Sequence, residues 1–212
     1  MNVKPTDRVL VHACCAPCSG AILEWLVGQG VRPTVFFSNA NIYPLAEYEL
    51  RRGELLRYAA QLGQKAASSG QELKGLVVID DVYDHEAWRC AVRGLECEPE
   101  RGQRCLQCFR FRLERAARYA HEHGFNVLTT TLASSRWKDL EQVDAAGSYA
   151  CSLFPGLRWW GRNWRKGGLQ ERRSAIIREQ NFYNQTWCGC EFSHNDKTNE
   201  PTCPLPVEAP SR

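Results

Sequence analysis

No run of this chain stays apolar for more than a few residues, far short of the ~20 that a membrane-spanning helix needs. The N-terminal stretch also lacks the charged, apolar and small-residue segments of a secretory leader. The expected location is therefore the cytoplasm, with no membrane partner. Charge of one sign is scarce too: the formal net charge is +3 over 212 residues, which neither demands nor excludes a nucleic-acid partner. There is no internal repeat and no low-complexity segment. What is abundant is cysteine, eleven in all and odd in number. In a reducing compartment, clustered cysteines more often bind metal or do redox chemistry than build a disulfide framework.

Hydrophobic runs alternate with helical patterns along the chain. Strands are predicted at 8–13, 31–38, 75–79 and 125–131. Helices are predicted at 19–29, 44–62, from about His85, and at 105–122, 137–153 and 169–180, with a loop over 95–104 and Gly124 at a helix C-cap. Such alternation implies an α/β fold, three-layer, with a mainly parallel sheet of the Rossmannoid kind seen in nucleotide hydrolases and pyrophosphatase-loop enzymes. Residues 1–193 are expected to form one domain. The polar, proline-bearing segment 194–212 is expected to be a disordered tail. Ligands of such sheets collect beyond the strand C-terminal ends, which is where the segments after 13, 38, 79 and 131 fall.

Three cysteine motifs stand out. Cys14, Cys15 and Cys18 lie at a strand-to-helix junction, where a helix N-terminus lowers thiol pKa. Cys105 and Cys108 form a C-x-x-C that suits a zinc half-site, a cluster half-site or a redox dithiol. Cys188 and Cys190 flank Gly189 and are read as a strained, reducible pair, the alternatives being a further metal half-site or two unpaired thiols. Cys90, Cys97, Cys151 and Cys203 stand alone. All-thiolate sites take zinc or iron–sulfur clusters. Adjacent Cys14 and Cys15 reach two irons of a cube more easily than two corners of one zinc tetrahedron, and a separate dithiol implies electron flow, so a 4Fe–4S cluster is favoured.

Between 158 and 180 the texture is basic and aromatic. Arg158, Arg162, Arg165, Lys166, Arg172 and Arg173 interleave with Trp159, Trp160 and Trp164. Cations neutralise phosphates and indoles stack on unpaired bases, so this segment is the candidate RNA contact, extended by Arg112, Arg115 and Arg118. The alternative is a solvated basic face over core tryptophans.

Several long segments match a known family in order: 12–18 (HACCAPC), 36–48 (FFSNANIYPLAEY), 83–88 (YDHEAW), 94–113 (GLECEPERGQRCLQCFRFRL), 124–132 (GFNVLTTTL) and 187–193 (WCGCEFS). Over 9–193 the chain resembles the QueH-type epoxyqueuosine reductases. The resemblance implies an oxidoreductase of queuosine biosynthesis that converts epoxyqueuosine at the wobble position of tRNA to queuosine, with an external electron donor. It implies a 4Fe–4S cluster on Cys14, Cys15, Cys105 and Cys108, and a redox-active disulfide at Cys188 and Cys190. It also points to a second, mononuclear iron, for which Cys18 and Asp84 are the candidate ligands here. Asp84, Glu98 and Glu100 are the candidate acids for expelling the epoxide oxygen. Two places depart from the commonest family pattern: Arg136-Trp137 stands for a Pro-His, and Asn163-Trp164-Arg165-Lys166 for an Asp-Phe-Lys-Lys.

Two rival readings remain. One is a non-catalytic, zinc-stabilised RNA-binding module. The other is an ATP-dependent pyrophosphatase-loop enzyme, which would need an S-G-G-x-D-S phosphate loop where this chain has residues 12–18.

Overall fold

The computed structural model describes residues 3–4, 6–68 and 76–193. Its five strands are β1 (Val9–Ala13), β2 (Thr34–Phe37), β3 (Val78–Asp80), β4 (Val127–Thr130) and β5 (Arg158–Trp159). Interleaved with them run α1 (Ala16–Gly28), α2 (Leu45–Ser68), α3 (His85–Ala91), α4 (Gln103–Glu122), α5 (Leu140–Ser152) and α6 (Leu169–Glu179). All strand pairs are parallel, in the order β3-β2-β1-β4-β5. A parallel sheet covered on both faces needs strands without a solvated side. The central two comply: β1, VLVHA, and β4, VLTT, are buried at every position. In register, Leu10 lies opposite Thr34 on one side and Leu128 on the other.

Helices α1, α2 and α6 pack together as one layer, and α4 packs on α5 as the other. The α4 face that meets the core repeats at helical spacing: Cys108, Phe109, Arg112, Leu113, Ala116, Ala117 and Ala120 are buried. Pro17 sits in the first turn of α1, where its missing N–H removes no helical bond. Gly124, at φ +71, ends α4 in the left-handed conformation. The three-layer, parallel α/β architecture expected from the sequence is thus present.

The differences are local. Helix α1 begins at Ala16, so Cys18 lies on the helix and not in the loop before it. The third strand starts at Val78, and residues 69–75 lie outside the described residues. The segment 194–212, expected to be a disordered tail, also lies outside them. β5 was not anticipated, because a two-residue strand of Arg158 and Trp159 shows no alternation.

The larger correction concerns Trp164. It is fully buried, and Trp160 is 4% exposed. Both pack against Trp25 of α1, with ring centroids 5.7 Å and 6.3 Å away, while Arg162 lies over the rings of Trp25 and Trp164 at 4.0 Å and 4.7 Å. Trp164 therefore offers no face to a base; it anchors the chain between β5 and α6 to the core. Removing such a side chain costs about 3–5 kcal/mol. Trp164→Ala should lower unfolding stability by that amount in a urea titration, and a loss below about 1 kcal/mol would contradict its core role.

Candidate metal centre

Strand order reverses at β1, whose neighbours are β2 and β4, and a crevice opens beyond the strand C-terminal ends at such a point. The turn leaving β1 carries Cys14, and Cys15 is the N-cap of α1. The Sγ atoms of Cys14, Cys15 and Cys18 lie within 4.8 Å of one another, the one such group of potential metal ligands among the described residues. This trio can hold a metal. The loop after β4 closes on it: Cys14 N donates to Thr131 Oγ1 at 3.1 Å, and Thr131 Oγ1 donates to Cys14 Sγ at 3.5 Å. Gln185 Nε2 donates to Cys15 Sγ at 2.8 Å.

Crowded thiols cannot all ionise. Hydrogen bonds from Cys15 and then Cys18 pull Cys14 well below the ordinary thiol range. The same contact with Cys14 pushes Cys15 well up and Cys18 up to about 12. In the metal-free trio, negative charge is therefore favoured on Cys14 over Cys15 and Cys18.

Side chains lock the strand ends around this trio. His12 Nε2 bonds Ser38 O at 3.1 Å and its Nδ1 bonds Thr130 Oγ1 at 2.7 Å. Burial, and then the charge of Arg112, push His12 down to about 3, so it stays neutral. Asn39 Nδ2 donates to Ala13 O at 2.9 Å. Arg112 of α4 donates through Nε to Ser38 O at 3.2 Å and through Nη2 to Asn39 Oδ1. Arg115 holds Asp81 with bonds of 2.6 Å and 2.8 Å. Of the arginine stripe of α4, expected to face RNA, Arg112 and Arg115 are thus spent inward, whereas Arg118 is exposed and lies over Phe154.

Cys105 and Cys108 occupy the first turns of α4. They do not line the cavity described below; they lie electrostatically close to Cys188 and Lys138, and burial raises both thiols. Arg112 acts on Cys14, Cys108 and Cys188 alike.

The Cys188-Gly189-Cys190 segment is clamped to the loop after β2. Tyr43 N donates to Gly189 O at 2.8 Å, Arg51 Nη1 to Cys188 O at 3.0 Å, and Ile42 bridges Cys190. Gly189 has φ +98, and an added Cβ would meet Arg51 Nη1 at 3.0 Å and Ile42 Cγ1 at 3.1 Å. Position 189 therefore admits only glycine without displacement. The two thiols are free and differ in setting. Cys188 faces the cavity, whereas Cys190 packs with Ala40, Trp88, Val92 and Cys108. Lys138 Nζ donates to Cys188 Sγ at 2.7 Å. Burial would raise the Cys188 thiol, but the charge and hydrogen bond of Lys138 and the charge of Arg112 together outweigh it and pull the thiol below its ordinary value. Burial drives Cys190 strongly upward. Cys97, read from the sequence as a lone cysteine, is disulfide-bonded.

The other expected site residues divide. Asp84 is the N-cap of α3, accepting from Ala87 N at 2.9 Å, and does not line the cavity. Glu98 accepts from Gln103 N at 2.9 Å at the start of α4. Glu100 alone of the candidate acids lines the cavity. Of the basic segment, Arg158 pairs with Asp7 at 2.6 Å, and Arg172 with Glu24 and Glu179 at 2.7 Å each. Arg165 donates to the carbonyls of Ser135 and Lys138. Lys166 is exposed, and Arg173 lines the cavity. Asn163 accepts from Arg165 N at 3.0 Å, a turn role. Sequence reasoning missed Lys138 and Gln185, which no local pattern marks. Arg112 did carry a signal, since it lies four residues after Cys108 on one helical face.

These groups surround a cavity of about 650 Å³ lined by Cys14, Cys15, Cys18 and Cys188, a size that accommodates small-molecule ligands. The buried side-chain oxygens of Asn41 and Gln185, both on its wall, have no protein partner among the described residues.

The family profile described as Epoxyqueuosine reductase QueH matches residues 9–196. Among curated proteins of that name, the one from Haemophilus influenzae is 41% identical over 190 residues, 90% of this chain and 73% of the relative. That of Histophilus somni is 42% identical over 90% and 73% of the two chains. That of Acinetobacter baylyi is 42% identical over 90% and 82%.

The Lys138–Cys188 contact has a direct readout in metal-free protein. Lys138→Met removes the charge that favours the thiolate, so the midpoint of Cys188 alkylation should move to higher pH. At neutral pH the reaction should slow roughly tenfold for each unit of that move. Mass spectrometry of the Cys188 peptide checks this, and an unchanged pH profile would mean that the lysine does not set the thiol's charge.

Proposed function

Because the chain belongs to the epoxyqueuosine reductase QueH family, we propose that it reduces epoxyqueuosine in tRNA to queuosine. It is an oxidoreductase: an electron pair and a pair of protons turn the epoxide into an alkene and water. The observation that carries this reading is the trio Cys14, Cys15 and Cys18 on the wall of a cavity of about 650 Å³. No helix among the described residues is long and apolar enough to cross a membrane. Cytoplasmic operation, with an external electron donor, remains part of the proposal.

The resident group we propose is a 4Fe–4S cluster held by Cys14, Cys15, Cys105 and Cys108, with Cys18 left as a ligand for a second iron. The donor chemistry fits. All ligands are thiolates, which suit iron–sulfur groups. Such a group with its thiolates is anionic, and Arg112 and Lys138 are cations placed among these sulfurs without a carboxylate partner among the described residues. When bound, the cluster supplies one-electron chemistry. The protein's own residues do the rest. Asn41 Oδ1 and Gln185 Oε1 accept hydrogen bonds from substrate hydroxyls. Glu100 is the carboxyl group on the wall and delivers a proton to the departing oxygen. Cys188, whose thiolate Lys138 favours, and Cys190, whose thiol form burial favours, close and reopen a disulfide that passes electrons onward. Asp84 drops out of the catalytic set, because its carboxylate caps α3.

Anaerobic reconstitution with iron and sulfide, followed by assay on epoxyqueuosine-containing tRNA with a strong reductant, tests the reading. A brown, sulfide-bearing protein that forms queuosine is expected, with Cys14→Ser and Cys105→Ser losing both colour and turnover. Zinc without iron, or a loaded cluster without conversion, sinks it. Within a working enzyme, Glu100→Gln should reduce kcat by about 100-fold while leaving iron content intact; an undiminished kcat would assign the proton to another donor.

A further inference from the structure

Trp137 is the one exposed tryptophan among the described residues, 63% accessible, and it lies on the cavity wall. A large apolar ring left in water at the edge of a ligand cavity points to recognition. Its turn is fixed from beneath. Ser134 O accepts from Gln170 Nε2 at 2.7 Å, Lys138 O from Arg165 Nη2 at 2.7 Å, and Trp137 O from Arg101 Nε at 3.1 Å. The ring is presented by a backbone that has little freedom left to lose on binding, which favours affinity.

Arg136 stacks on the indole, its Cζ 4.8 Å from the ring centroid. It thereby covers one face of a ring that is exposed overall. Neither Arg136 nor Arg173 has a carboxylate partner among the described residues, although both line the cavity. Arg112 and Lys138 are there too, as is Arg51, which pairs with Glu47 at 2.6 Å, and Glu100 is the one carboxylate on the wall. A cationic mouth with an exposed indole fits a polyanion that carries unpaired rings.

We propose that Trp137, backed by Arg136, is a stacking platform for an unpaired nucleobase next to the nucleoside that enters the cavity. The inference rests on the tRNA substrate of the preceding section, and it gives the Arg136-Trp137 departure from the family's Pro-His a role in this chain. Arg165, expected to touch RNA itself, acts one step removed by holding the turn.

The test is a double-mutant cycle on binding, which needs no turnover. An anticodon stem–loop RNA, intact or with an abasic site at either nucleotide flanking the wobble position, is titrated into wild-type holoenzyme and Trp137→Ala. Thermal unfolding serves as the control for folding, and Trp137→Phe as the variant that keeps a ring. Stacking on an aromatic is strong enough that Trp137→Ala should weaken the intact RNA about tenfold, with Trp137→Phe losing much less. One of the abasic sites should weaken wild type similarly, and combining it with Trp137→Ala should add nothing further. Losses that multiply, an unchanged affinity, or no binding of the stem–loop by wild type would each overturn the platform. Unchanged RNA affinity together with slower reduction by a protein reductant would also overturn it, assigning the ring to a protein partner. Conversion of epoxyqueuosine is scored separately, so wild type that binds the RNA without reducing it defeats the reaction while the cycle still decides the platform.

Discussion

Arg112 carries a positive charge in the interior, 2% exposed, and its hydrogen-bond partners are two neutral oxygens. A buried charge without compensation costs several kcal/mol. Here the compensation is sulfur: the field of Arg112 favours the thiolate at Cys14, Cys108 and Cys188 alike, although burial still leaves Cys108 raised. The same guanidinium also ties the end of β2 to α4, and through Asn39 to the last carbonyl of β1. One side chain therefore sets where the cysteine-bearing segments lie and makes negative sulfur favourable between them. Lys138 repeats the arrangement on a smaller scale at Cys188.

This pairing makes the centre's charge and its shape one problem. Arg112 would lack a negative partner without the sulfurs, and burial would oppose a Cys188 thiolate more strongly without Lys138 and Arg112. Cys190 shows the second case: it lies only two positions from Cys188 but is packed against Trp88 and Val92, and it is pushed strongly up. The asymmetry of the pair follows from which sulfur the lysine reaches.

How much of this was legible beforehand depends on the range of the interaction. β1 and β4 were readable because a parallel central strand writes its burial as a continuous apolar run, and α4 because its buried face repeats at helical spacing. β5 was not, since two residues carry no period and its place is set by pairing with β4. At the site, the cysteines announced themselves by spacing. That Cys18 joins Cys14 and Cys15 follows from α1 starting at Ala16, a boundary that moved by three residues. Lys138, Gln185 and Thr131 reach the sulfurs only through long-range contacts and leave no local pattern. Arginine was the least legible type, because its composition is the same whether it binds phosphate, pairs with a carboxylate or caps carbonyls.

That ambiguity resolves into an argument about recognition. Once Arg158 and Arg172 are assigned to carboxylates, Arg112 and Lys138 to the sulfur centre, and Arg165 to backbone carbonyls, few of the expected cations remain for phosphate. Lys166, Arg173 and Arg136 are then left near the cavity and its flank with neither a carboxylate nor a sulfur partner among the described residues, and Arg173 Nε already donates to Pro17 O at 3.0 Å. A protein that neutralises few phosphates gains little from counterion release, and a net charge of +3 adds little long-range steering. Affinity for an RNA loop must then come from short-range terms, the seating of one nucleoside in the cavity and the stacking of its neighbours at the rim. A rigid, exposed indole at the mouth supplies the second of these where free charge is short.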